Sequence, residues 1–270
     1  MELLLGFVIA LAIALTGVGA GSMTAPILII FLRVPPAVAV GTALAFGAVV
    51  KLACVPIYLA RHHVNKRALA LMLAGGLPGV IFGGIFLNRL KGGANERILY
   101  GLLGSLIAVT AAFHLYRLFR PAPALRPPGR MRWLPWLALP IGAEVGFSSA
   151  GAGALGSLVL LSLTSLSAAE VIGTDLCFGL GVGLAGSAIQ LGAGNYDGIL
   201  LLKLIIGGLC GAACGSLLSG RIAQRPLRAC LLITLIALGC QIAAHNAAPK
   251  PETASDFHHV PAAVSVWHGR

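Results

Sequence analysis

The chain has 270 residues, 58% of them hydrophobic and only 10% charged, with mean hydropathy +0.94. A soluble domain carries about 25% charged residues, so this composition excludes one. The formal net charge of +11 does not point to nucleic acid either, because the basic residues cluster in short loops between apolar runs, as membrane topology requires.

The first apolar run extends from Leu3 to Leu32, longer than the ~20 residues one straight span needs. It is interrupted by Gly17-Val18-Gly19-Ala20-Gly21-Ser22, and each glycine costs about 1 kcal/mol in a helix relative to Ala. The pattern predicts two half-helices, about 3–15 and 23–32, facing a short unwound segment. Unwound backbone survives at membrane depth only where protein buries it or a polar cavity solvates it. The run starts Met1-Glu2 without a basic stretch, so it reads as part of the fold and not as a cleavable signal.

Arg33-Val34-Pro35-Pro36 then predicts a turn, with Pro36 opening a helix over 37–60. A polar loop at 61–67 leads to a span over 68–87, whose Gly75, Gly79 and Gly83 form a ladder that lets helix backbones approach closely. A basic loop from Arg89 to Arg97 precedes a fourth span over 98–119. Residues 119–132, rich in Pro and Arg, read as a non-helical linker. They divide a first transmembrane repeat (1–118) from a second (133–246), which has a broken segment over 133–163 and spans near 168–191, 199–219 and 227–244. Trp133 and Trp136 suit an interfacial anchor. Residues 247–270 form a polar tail expected to be disordered. The six cysteines lie inside apolar runs and form no CxxC, which fits small apolar packing groups.

The two repeats align without a gap at an offset of 132. Gly17-Val18-Gly19-Ala20-Gly21 falls on Ser149-Ala150-Gly151-Ala152-Gly153, Gly41-Thr42 on Gly173-Thr174, and Phe46-Gly47 on Phe178-Gly179. Gly75-Gly76-Leu77 falls on Gly207-Gly208-Leu209, and Arg89 on Arg221. Bias toward Gly, Ala and Leu does not produce Gly-Thr, Phe-Gly and Arg matches in one register, so the chain reads as an internal duplication. The fold class expected is an all-α polytopic membrane protein with two homologous halves of about four helical segments each. If each broken segment is a re-entrant hairpin, the halves are inverted and the basic loops at 61–67, 117–132 and 221–228 share one face. The positive-inside rule prefers this arrangement to four crossings per half.

The glycine break followed by Pro26, and Val34-Pro35-Pro36-Ala37-Val38-Ala39-Val40-Gly41-Thr42, resemble the sulfite exporter TauE/SafE family of membrane permeases. So do the loop holding Val64-Asn65, Gly75-Gly76-Leu77-Pro78-Gly79, and Gly194-Asn195-Tyr196-Asp197, which is close to that family's Gly-Asn-x-Asp loop. The resemblance covers about residues 3–243. It implies a transporter for a small anion such as sulfite, thiosulfate, a sulfonate or a related organosulfur compound.

Half-helix N-termini carry unpaired N–H groups and partial positive charge, which suits an anion. The substrate-binding candidates are therefore Gly19, Gly21 and Ser22 at the first break and Ser149, Gly151 and Gly153 at the second. Thr24 and Ser148 could add hydroxyls, and Thr42 and Thr174 stand in the matched Gly-Thr pairs. Charges inside apolar runs are functional candidates by default: Lys51 as an anion contact, Glu144 and Asp175 as its charge partners or as proton carriers. None of the three has a charged counterpart in the other repeat. No metal, cofactor or nucleic acid is expected, only a small anion and the bilayer in which the protein would sit, a bacterial inner membrane. There is no HExxH, and Gly146-Phe147-Ser148-Ser149-Ala150 misses the GxSxG pattern, so the chain is not read as an enzyme. The alternatives to a permease are a passive anion channel and a non-transporting membrane partner.

Overall fold

The computed structural model describes residues 2–16, 20–92, 95–119, 131–151, 153–218 and 224–245. Gly19, the linker residues 120–130 and the tail beyond 245 lie outside them. The described residues form helices and connecting turns: α1 (Glu2–Thr16), α2 (Ala20–Phe31), α3 (Pro36–Ala60), α4 (Lys66–Leu90), α5 (Glu96–Phe119), α6 (Leu134–Ser148), α7 (Ala154–Leu163), α8 (Ala168–Gly192), α9 (Gly198–Leu218) and α10 (Gln224–His245). A 3-10 turn at Met131–Trp133 leads into α6.

Six of these, α3, α4, α5, α8, α9 and α10, are long and apolar enough to cross a bilayer. The protein is a multi-pass membrane protein. Its outer surface carries large apolar side chains such as Phe82, Phe86, Val109 and Ile199, as a lipid-facing surface must. Trp133 and Trp136 are exposed just where α6 begins.

Helix directions follow from which residues meet. Leu44, Ala48, Lys51 and Tyr58 of α3 lie against Gly186, Gly183, Gly179 and Gly173 of α8, so these helices run antiparallel. Leu73 and Val80 of α4 lie against Gly181 and Gly186, so α4 runs parallel to α8. Gly75, Gly79 and Gly83 of α4 press on the backbone of Pro135, Leu139 and Ala143, making α6 parallel to α4 and hence to α8. The chain between α6 and α8 must therefore come back, and α7 is the returning arm of a hairpin. On the other side, Gly207 and Gly211 of α9 press on Leu3 and Phe7, so α1 runs with α9. The short loop after α8 reverses the chain, so α9 and α1 both run with α3, and α2 is a returning arm too. With 15 and 12 residues, α1 and α2 are ~22 and ~18 Å long, short of the ~30 Å hydrocarbon core.

The glycine ladders explain the tight pairing. A methyl on Gly75 would lie 1.8 Å from the Pro135 carbonyl oxygen, and one on Gly207 would lie 2.1 Å from that of Leu3. Without side chains there, the α4–α6 and α9–α1 backbones touch, which is how membrane helices gain packing without a hydrophobic drive. The pairs repeat at the sequence offset: Gly75 with Pro135 and Gly207 with Leu3, Gly79 with Leu139 and Gly211 with Phe7, Gly76 with Phe178 and Gly208 with Phe46.

One expectation about the first break needs correction. Gly21 and Ser22 are not unwound; they belong to the first turn of α2, which starts at Ala20. At the second break the chain does leave the helix. Ser149 takes a left-handed conformation (φ 59°), followed by Gly151 (φ 85°) and Gly153 (φ 117°), before α7 starts at Ala154.

Candidate functional site

The two hairpins meet inside the bundle. Ser149 is 4% exposed and its Oγ donates to the Gly21 carbonyl at 2.9 Å. A methyl on Gly21 would lie 1.9 Å from the Ser149 carbonyl oxygen. The tip of the α6–α7 hairpin thus rests on the first turn of α2, bringing together Gly21 and Ser149 of the predicted set. Ser22 is half-buried beside them. The Ser148 hydroxyl, fully buried, turns back to the Glu144 carbonyl at 3.0 Å and accepts from the Ala150 N–H at 3.2 Å.

The charged candidates gather at the second hairpin. The Glu144 carboxylate stands over Gly151, where a methyl would lie 2.9 Å from Oε2, and its Oε1 accepts from the Thr110 hydroxyl of α5 at 2.5 Å. Asp175 of α8 is 5% exposed and reaches the N-terminal turn of α7. Its Oδ2 accepts from Ser157 Oγ at 2.6 Å, and its Oδ1 would meet a methyl on Gly156 at 2.0 Å. A carboxylate therefore already stands at the partially positive end of α7. Lys51 of α3 places its Nζ against Gly179, one turn beyond Asp175 on the same face of α8. Lys51 and Asp175 form no ion pair within 4.0 Å; Lys203 pairs with Glu2 at 2.7 Å. The positions matching Glu144, Lys51 and Asp175 at the offset of 132 are Ala12, Gly183 and Ala43, so this charge belongs to one side of the site only.

Thr42 and Thr174 are fully buried at the ends of spans. Thr174 Oγ1 accepts from the Asn65 N–H at 3.0 Å and Thr42 Oγ1 from the Asp197 N–H at 3.4 Å. Asn65 in turn caps α4 by accepting from the Ala68 N–H at 3.0 Å, and Asp197 caps α9 by accepting from the Ile199 and Leu200 N–H groups, both at 3.0 Å. Each threonine thus docks a helix N-terminus of the other repeat. The structure brings neither threonine to the hairpin tips.

Sequence reasoning did not single out Ser157, Thr110 or Gly156, and met Gly179 only as the repeat match of Gly47. Serines and glycines are too common in such a chain to stand out before the fold shows which of them face a charge. It met Asn195 only as part of the Gly-Asn-x-Asp loop and not as the centre of a polar cluster at the far end of α8. There Asn195 Nδ2 donates to Asn88 Oδ1 at 2.5 Å and to Gln190 Oε1 at 2.8 Å, while Lys91 donates to Asn195 Oδ1.

Among the described residues no group of three or more His, Cys, Asp or Glu side chains could hold a metal ion. Around the α6–α7 hairpin the described residues thus place hydroxyls and two carboxylates, with one ammonium further along α8.

The family model described as Sulfite exporter TauE/SafE matches residues 2–242. A protein of Bacillus subtilis (strain 168) named as the probable membrane transporter protein YjnA is 26% identical over 251 residues, covering 89% of this chain and 98% of its own length. No solved structure matches the chain.

Proposed function

The chain belongs to the sulfite exporter TauE/SafE family, a family of membrane transporters, and from that premise we propose that it is a permease for a small anion of the sulfite or sulfonate type. Two homologous, inverted halves would alternate access to a site between the hairpin tips. The observation that carries this reading is the Ser149–Gly21 contact inside the bundle, with Lys51 against Gly179 on the α8 face that also carries Asp175. An ammonium inside a membrane-spanning segment is costly and attracts an anion by its charge. Short hairpin helices meeting there are the pattern of secondary transporters, whose sites lie between inverted repeats. Binding residues would be Gly21, Ser22, Lys51, Ser149, Gly151 and Gly153, with Gly19 as a further candidate. Glu144 and Asp175 would set the charge of the site, and Thr42 and Thr174 would hold its frame.

Helix directions put the basic ends Arg61, Lys66, Arg67, Arg117 and Arg132 on one face. By the positive-inside rule that face is cytoplasmic, in a bacterial inner membrane. The relative's printed name, a probable membrane transporter, agrees with transport and not with catalysis.

The test is thermal stability of the purified full chain against sulfite, thiosulfate, sulfate, taurine, sulfoacetate and chloride at constant ionic strength. A ligand of the native state raises apparent stability by mass action. A saturable shift with a sulfur oxyanion and none with chloride is expected. No shift with any of them would remove the anion and leave a non-transporting membrane partner; a shift together with unsaturable flux into vesicles would indicate a channel.

A further inference from the structure

Resting on that permease reading, we propose that the Lys51–Asp175 site takes its anion with one proton attached: a hydrogensulfite-type monoanion, with Lys51 meeting the charged oxygens and Asp175 Oδ1 accepting the ligand's hydrogen. Three observations carry this. First, Asp175 is 95% removed from solvent, yet only one of its oxygens is satisfied: Oδ2 accepts from Ser157, while Oδ1 is buried with no partner. Second, Oδ1 rests against the bare Cα of Gly156 in the first turn of α7, where a methyl would lie 2.0 Å from that oxygen. Third, Lys51 shares the α8 face with Asp175, against Gly179, and no carboxylate lies within 4.0 Å of it.

An ammonium is donor only and an ionised carboxylate acceptor only. A ligand lying between them must accept at one end and donate at the other. A fully deprotonated oxyanion has only lone pairs and would set them against Oδ1, in a medium where a buried unpaired polar group is costly. An anion that keeps one hydrogen satisfies both ends. The groups around Asp175 are Lys51 from α3 and the Ser157 hydroxyl and backbone N–H from α7, with the Met72 methyl of α4 beside Gly156. Lys51 is the charged one.

Methylphosphonate and methanesulfonate isolate this effect, because in mildly acidic buffer both are monoanions of the same shape and only the phosphonate keeps an O–H. Thermal stability of the full chain should respond to methylphosphonate at a concentration at least about tenfold lower than to methanesulfonate, the kind of preference a site gains by hydrogen-bonding a ligand hydroxyl. Asp175→Asn should reduce that ratio to near one or reverse it. Gly156→Ala, which keeps the charge but pushes Oδ1 aside, should reduce it as well and serves if Asp175→Asn does not fold. Lys51→Gln should weaken both ligands together. Equal response of the wild type to the two probes, or a preference for the sulfonate, overturns the inference while a sulfur-oxyanion shift leaves the permease reading standing. If no anion of either panel shifts stability, the permease reading itself falls.

Discussion

Ser149 Oγ donates to the Gly21 carbonyl at 2.9 Å, across 128 residues of chain, and this bond joins the two hairpins. Backbone also touches backbone there, since a methyl on Gly21 would lie 1.9 Å from the Ser149 carbonyl oxygen. The two contacts predict different costs. Ser149→Ala removes one hydrogen bond, worth about 1 kcal/mol, and should lower the melting temperature slightly. Gly21→Ala forces two backbones apart and should cost about 1–3 kcal/mol and abolish transport. Thermal melts and vesicle uptake of the two variants check this; a Gly21→Ala protein as stable and active as the wild type would show that the tips do not pack as described.

Thr174 and Thr42 dock the N-terminal loops of α4 and α9. Thr174→Val leaves the Asn65 N–H, now bonded at 3.0 Å, without its acceptor, at a cost of about 1–3 kcal/mol. Thr42→Val should cost less, because its bond to the Asp197 N–H is longer, 3.4 Å. Melting temperatures of the two variants should rank in that order. Anion affinity, read by the concentration giving half the stability shift, should change far less than in Lys51→Gln. A larger affinity loss in Thr42→Val than in Lys51→Gln would place the threonine at the ligand.

Helix direction makes a topological prediction. Val64 precedes α4 and Tyr196 precedes α9, and α4 runs antiparallel to α9 because α4 runs with α8 while the chain reverses between α8 and α9. Val64→Cys and Tyr196→Cys, each in a background without the six native cysteines, should react with an impermeant maleimide from opposite faces of oriented vesicles. Labelling of both from one face would contradict the hairpin paths of α1–α2 and α6–α7.

The long helices were legible because apolar runs bounded by charged loops fix both their number and their extent: the expected spans over 37–60, 98–119 and 168–191 match α3, α5 and α8 to within a residue or two. The hairpin tips were less legible. Glycine's helix cost predicts a break at Gly21-Ser22, yet α2 includes both residues, because the close approach of Ser149 rewards a bare backbone there and the cost of a single glycine is small beside that contact. The charged residues stood out as charges in apolar runs. Their partners did not, since whether Lys51 lies near Asp175 or Glu144 depends on α3 crossing α8, and no local pattern encodes that crossing. The roles of Thr42 and Thr174 were hidden for the same reason, their partners being 155 and 109 residues away.

The packing contacts repeat at the sequence offset, and this makes matched mutations informative. Gly79 in α4 approaches Leu139, and Gly211 in α9 approaches Phe7; added methyls would lie 2.1 and 2.2 Å from the respective carbonyl oxygens. Since both neighbours are backbone oxygens held by their own helices, neither can yield without separating the helix pair. Gly79→Ala and Gly211→Ala should therefore each destabilise by about 1–3 kcal/mol, with nearly equal falls in melting temperature. Gly192, at the end of α8, has nothing within 4 Å of an added methyl, and Gly192→Ala should be neutral or stabilising by up to about 1 kcal/mol, since alanine restricts the unfolded chain. Thermal melts of the three purified variants test the whole set. Equal melting temperatures for all three would mean that the α4–α6 and α9–α1 interfaces are looser than their glycine contacts require.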